Sequence, residues 1–125
     1  MNVVLGNELQ FIETPGGNSA SGVATTSRGA AEVSVIRQRQ QVGGTNPAHT
    51  HDREEVMILL SGNVTVSASG ESVAIGPGDA VIIQRRTLHR IENTGSLPAE
   101  WLLVATAGVR FFHAGGEEAN PPWSR

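Results

Sequence analysis

Apolar and polar residues alternate in short runs along this chain, and turn residues separate the runs. Alternation with a period of two gives an extended segment one apolar and one polar face, and several such runs in succession point to an all-β sandwich or barrel. Residues 8–13 (ELQFIE) read as a first strand, and the Gly/Ser-rich stretch 14–22 reads as a loop. Residues 31–39 (AEVSVIRQR) form a second run, ended by Gly43, Gly44 and Pro47. Residues 54–60 (EEVMILL) are almost continuously apolar, which suits a strand buried on both faces. Ser61-Gly62 turns into 63–68 (NVTVSA), and Ser69-Gly70 makes a tight hairpin into 71–75 (ESVAI). Gly76-Pro77-Gly78-Asp79 leads into 80–84, and 89–93 and 100–107 (EWLLVATA) close the series. Residues 115–125, with Pro121-Pro122-Trp123, read as an irregular tail lying over the surface or against a partner subunit. No stretch sustains a helical apolar period, so any helix is short.

Composition narrows the function classes. The 125 residues suffice for one domain over 1–125 with one modest core, centred on about 31–107. A net charge of −3 without a basic cluster argues against a nucleic-acid surface. No segment approaches the about 18 consecutive apolar residues of a membrane span. The opening MNVVLGNELQ lacks a signal peptide's basic and apolar regions, so the expected location is cytoplasmic. Cys is absent, which removes disulfides, thiolate nucleophiles and Cys-based zinc sites. All nine basic residues are Arg, so no lysine is present for a Schiff base, and Tyr is absent as well. Chemistry is left to His, Glu, Asp, Ser, Thr, Arg or a bound metal.

Two segments carry candidate chemistry. In GGTNPAHTHDREEVMILLSG (43–62), His49 and His51 are two apart and project to one face of an extended chain. Glu55 shares a face of the next strand with Met57 and Leu59. A carboxylate between apolar residues on a buried strand needs a partner, since an isolated buried charge is very costly. A metal held with two imidazoles is such a partner. In GDAVIIQRRTLHRIEN (78–93), His89 opens a short strand and alternates with Ile91. Glu54 is offset from the inward face and reads as solvent-side. Asn93 reads as a turn-stabilising residue, and His113 as an ordinary polar residue of the tail.

With these residues in view, the sequence resembles the cupin superfamily. The pattern G-x5-H-x-H-x3-E-x6-G is met by Gly43, His49, His51, Glu55 and Gly62, and a second, G-x5-P-x-G-x2-H-x3-N, by Gly78, His89 and Asn93. Gln84 and Arg86 depart from it, standing where the family usually has Pro and Gly. The resemblance implies an all-β, double-stranded β-helix: a jelly-roll-like barrel of antiparallel strands. It also implies one divalent transition metal per chain, held by His49, His51, Glu55 and His89. Three imidazoles and a carboxylate suit Mn, Fe, Ni, Co, Cu or Zn and disfavour Ca and Mg.

Apolar inward positions around that site (Met57, Leu59, Ile91 and one side of 101–104) suit a small-molecule ligand or substrate. Arg37 or Arg90 could meet an anionic one. Small cupins include dioxygenases, sugar isomerases and epimerases, lyases, decarboxylases and non-catalytic sensors. Oxygenase-type chemistry is placed first here, because an apolar surround suits substrate and dioxygen at a metal. Glu55 is the expected catalytic base: a carboxylate can swing off the metal and accept a proton, and no Tyr, Lys or Cys is present to do so. A homodimer is expected from the family resemblance and from the apolar N-terminal residues Val3, Val4, Leu5, Phe11 and Ile12.

Overall fold

A computed structural model describes all residues 1–125 and carries twelve strands. They are β1 (Ile12–Thr14), β2 (Asn18–Ala24), β3 (Val33–Gln40), β4 (His49–His51), β5 (Glu55–Ser61) and β6 (Val64–Ala68). The series continues with β7 (Glu71–Ile75), β8 (Ala80–Ile83), β9 (His89–Glu92), β10 (Ala99–Thr106), β11 (Phe111–His113) and β12 (Glu118–Ala119). Single 3-10 turns at Gly6–Glu8, Thr26–Arg28 and Pro122–Ser124 are the helical segments, so no helix is long and apolar enough to cross a membrane.

The strands form two six-stranded sheets, ordered β1-β2-β3-β10-β5-β8 and β12-β11-β4-β9-β6-β7. Every pairing is antiparallel. The chain crosses repeatedly from one sheet to the other, as in the jelly roll expected from the resemblance. Alternation drives the packing. Ile36, Met57, Leu59, Trp101 and Leu103 from the first sheet meet Val64, Val66, Ile75, Ile91 and Phe111 from the second in a single buried core. Trp101 is 1% exposed and pairs across the ladder with Gln38 and Leu59.

Several expectations change. The expected loop 14–22 contains most of β2, whose small residues lie against β3. The expected strand 8–13 is largely irregular, and only its end enters β1. β5 alternates: Met57 and Leu59 are buried while Val56 and Ile58 are half-exposed, so it is covered on one face. The tail contains β12 and a 3-10 turn, and Trp123 packs on the core with its ring 5.6 Å from that of Phe111. The Ser69-Gly70 hairpin is as expected, with positive φ at both residues (52° and 76°) as a type I′ turn requires. Gly62 is demanded by its surroundings. Its φ is +81°, and a Cβ there would lie 2.7 Å from the Pro98 carbonyl oxygen and 2.8 Å from Ala99 Cα.

Candidate metal centre and adjoining cavity

The second sheet gathers the histidines. His49 on β4 lies directly across from His89 on β9, and His51 follows on the same face of β4. The three rings stand with centroids 4.3–4.9 Å apart. Their ligand-capable nitrogens all lie within 4.8 Å of one another, so the three could hold a metal ion. At a metal–nitrogen distance of about 2.1 Å, two ligands of one ion can be at most about 4.2 Å apart, so only a slight inward closure is needed.

The tautomers favour this. Nδ1–H of His49 donates to the Pro47 carbonyl at 2.9 Å, and Nδ1–H of His89 donates to that of Thr87 at 2.8 Å. With Nδ1 protonated, the Nε2 lone pair of a neutral ring is left for a ligand, a common second-layer arrangement at metal sites.

Glu55, at the start of β5, brings its carboxylate to the cluster from the other sheet. Its Oε2 is 3.1 Å from His51 Nε2 and its Oε1 is 3.9 Å from His89 Nε2. The 3.1 Å approach is not aligned as a hydrogen bond: His51 Nε2, His89 Nε2 and Glu55 Oε1 are all buried without a hydrogen-bond partner. Converging unpaired lone pairs at 2% residue exposure are costly unless something fills them. The three imidazoles could therefore hold a metal ion, and the Glu55 carboxyl lies beside two of them; such donors suit a first-row transition ion.

Electrostatics point the same way. Burial pushes the Glu55 carboxyl up to about 8. Burial, aided by neighbouring His89, lowers His49 to about 4 against an opposing hydrogen bond to Pro47. His51 is lowered by burial and by His49 and His89, and His89 by burial. All three shifts favour the neutral ring, the form that ligates. A cation among them would reverse the penalty on the carboxylate.

Beside His49 opens a cavity of about 250 Å³, walled by Pro47, Leu103, Phe111, Phe112, Pro121 and Trp123. Besides His49, polar lining comes from Thr14, Asn18, Gln38, Asn46 and His113. The expected walls Met57, Leu59 and Ile91 instead fill the barrel core. His113 does not sit in an irregular tail: it lies on β11, opposite His49. Arg37 pairs with Glu100 away from this cavity, and Arg90 is exposed outside it, so neither meets a ligand there. Glu54 is exposed, as expected. Asn93 ties the turn after β9 together, donating to the Gln40 and Leu97 carbonyls and accepting from Gly95 N–H. Gln38, Asn46 and Phe111 carried no signal in the sequence; Trp123 stood out there only as an aromatic in the tail, without a link to the cavity.

A β-jelly roll with three histidines converging inside defines the class. The cupin-domain family model matches residues 36–105, and this chain belongs to that family. A curated relative, the tetracenomycin polyketide synthase protein TcmJ of Streptomyces glaucescens, is 28% identical over 85 residues, covering 67% of this chain and 57% of the relative. The chain thus spans little more than half the length of that relative. Among solved structures, the polyketide cyclase RemF from Streptomyces resistomycificus superposes with a TM-score of 0.78 at 19% identity, covering 99% of this chain and 89% of that one. KdgF from Halomonas sp. superposes with a TM-score of 0.74 at 17% identity, covering 85% and 93%.

Proposed function

We propose that this cupin is a metal-dependent enzyme acting on a small, mostly apolar, carbonyl-bearing molecule, with cyclase-type chemistry ahead of oxygenase chemistry. One observation carries the reading: the imidazole cluster opens through His49 onto an aromatic-walled cavity of about 250 Å³. Two relatives named for polyketide work, one found by sequence and one by fold, support the order. The oxygenase expectation rested on a complete ligand set within an apolar surround, and both serve either chemistry.

In this proposal His49, His51, His89 and Glu55 hold one divalent transition ion. When bound, the ion supplies Lewis-acid polarisation of an oxygen. The chain supplies the rest. Phe111, Phe112, Leu103 and Trp123 exclude water and flatten the ligand against the wall. Glu55 is the base: it is the carboxylate at the cluster, and the chain has no Tyr, Lys or Cys to replace it. In a cyclisation, a C–H proton passes to the base, the carbanionic carbon bonds to a second carbonyl carbon, and the base returns that proton to the oxygen as a hydroxyl. Removal of the second proton from the same carbon then forms a C=C bond as the hydroxyl takes up that proton and leaves as water. No oxidant is consumed.

The test is to incubate zinc- or iron-loaded protein with aromatic poly-β-ketones while following product mass and dissolved oxygen together. Loss of one water per turnover with no oxygen uptake is the expected result. Oxygen uptake matched to substrate loss would establish the oxygenase reading instead. Tight binding without turnover of any compound would point to a sensor. Metal-loaded Glu55→Gln should lose turnover by about 10²–10⁴-fold, the usual worth of a base, while retaining part of its metal. Full activity there removes Glu55 from the role.

A further inference from the structure

Three amide side chains line the cavity beside the imidazoles: Asn18, Gln38 and Asn46. Their hydrogen-bonding states differ. Asn18 is consumed by the protein. Its Nδ2 donates to the Pro15 and Thr45 carbonyls at 2.8 and 3.0 Å, and its Oδ1 accepts from Gln40 Nε2 at 2.9 Å. Gln38 and Asn46 are each tied by the oxygen alone. Gln38 Oε1 accepts from the Trp101 indole N–H at 2.8 Å, and Asn46 Oδ1 accepts from the Ile91 backbone N–H at 2.6 Å.

Both tying groups are obligate donors. An indole N–H and a backbone N–H cannot accept, so in each pair the amide must present its oxygen to them. That removes the ambiguity of amide orientation. The anchors are also immobile. Trp101 is fully buried in the core, and Ile91 N–H belongs to β9, two residues from His89. Each amide is therefore locked with its NH2 turned away from its anchor. Neither Gln38 Nε2 nor Asn46 Nδ2 has a protein partner, and both residues line the cavity.

We propose that Gln38 and Asn46 are positioning residues whose preset NH2 groups receive carbonyl or enolate oxygens of the ligand beside the imidazoles. This rests on the reading that the cavity takes a small organic molecule, and it specifies that molecule further: flat and apolar enough for the aromatic wall, with acceptor oxygens on the edge facing β3 and the segment before β4. A ligand of hydrocarbon alone would leave both donors unmet, and a site built to donate rejects such analogues.

The experiment compares acetylnaphthalene with ethylnaphthalene, which differ by the carbonyl oxygen. Binding is measured by equilibrium dialysis against zinc-loaded full-length protein and again after chelator treatment. Gln38→Glu and Asn46→Asp keep the accepting oxygen and the shape while deleting the NH2. Each should weaken acetylnaphthalene about tenfold and leave ethylnaphthalene unchanged, with zinc content as in the wild type. A merely structural role would weaken both compounds alike, and that outcome overturns the proposal, as does no change in either. Should an acidic variant fail to fold, Gln38→Met carries the same expectation. Loss of the carbonyl preference in these variants, with no turnover in the cyclisation assay, would sink the proposed enzyme activity while leaving the donor pair standing. Failure of the wild type to prefer the ketone sinks the donor pair alone.

Discussion

His51 and His89 show how a single atom's surroundings set what a site can hold. Each presents a buried Nε2 with no partner, and each is a few ångströms from the Glu55 carboxyl, whose pKa burial pushes up to about 8. Deleting either ring should remove most of the bound metal. Elemental analysis of untagged protein is expected to find about one first-row transition ion per chain in the wild type and far less in His51→Ala or His89→Ala. A wild type that stays metal-free after incubation with Mn, Fe, Co, Ni, Cu and Zn salts would refute the ligand assignment. These residues were legible in the sequence because spacing along an extended strand fixes which face a side chain takes. Gln38 and Asn46 were not legible, because what distinguishes them is the donor each meets in a distant strand. Arg86 illustrates the converse. It departs from the family's usual Gly, yet the structure gives it a positive φ of 60° and a 2.7 Å backbone bond to His51. The backbone requirement persists although the residue has changed.

At the scale of the elements, alternation located β3, β5, β6, β7 and β10 to within a residue or two, since each has large apolar side chains on one face. It failed at β2 (NSASGVA), where Ala, Ser and Gly give almost no amphipathic signal and pairing with β3 supplies the order. The short strands β4, β11 and β12 escaped the same way, being held by ladders rather than by an apolar stripe. The β5–β6 turn is the element most exposed to a small change. Gly62→Ala introduces a Cβ into backbone atoms of Pro98 and Ala99 at a left-handed φ. Overpacking of this kind costs about 1–3 kcal/mol, and the φ penalty adds about 1–2 kcal/mol. Urea unfolding should show a lower midpoint by a corresponding amount with an unchanged m-value. A midpoint equal to the wild type's would mean the turn rearranges freely.

For the whole molecule, the outer face of the first sheet bears on assembly. Ile82, Val56, Val104 and Val35 stand side by side across β8, β5, β10 and β3, with Ile58 and Leu102 in the next row. Ile82 is exposed and the others half-exposed. Beside them Arg37, Arg39 and Glu100 place both charge signs on the same sheet, a self-complementary mixture that a two-fold axis can satisfy. We propose that a second copy covers this face. Light scattering at micromolar concentration should give the mass of two chains, and Ile58→Asp should give one. A wild-type mass of one chain would count against the dimer.

The cavity wall built from Phe111, Phe112, Pro121 and Trp123 also divides the work between segments of the chain. All four residues follow His49, His51, Glu55 and His89 in the sequence. Candidate ligands and apolar wall are therefore separable, and exchanging the segment after β10 would reshape the chamber without altering a candidate ligand.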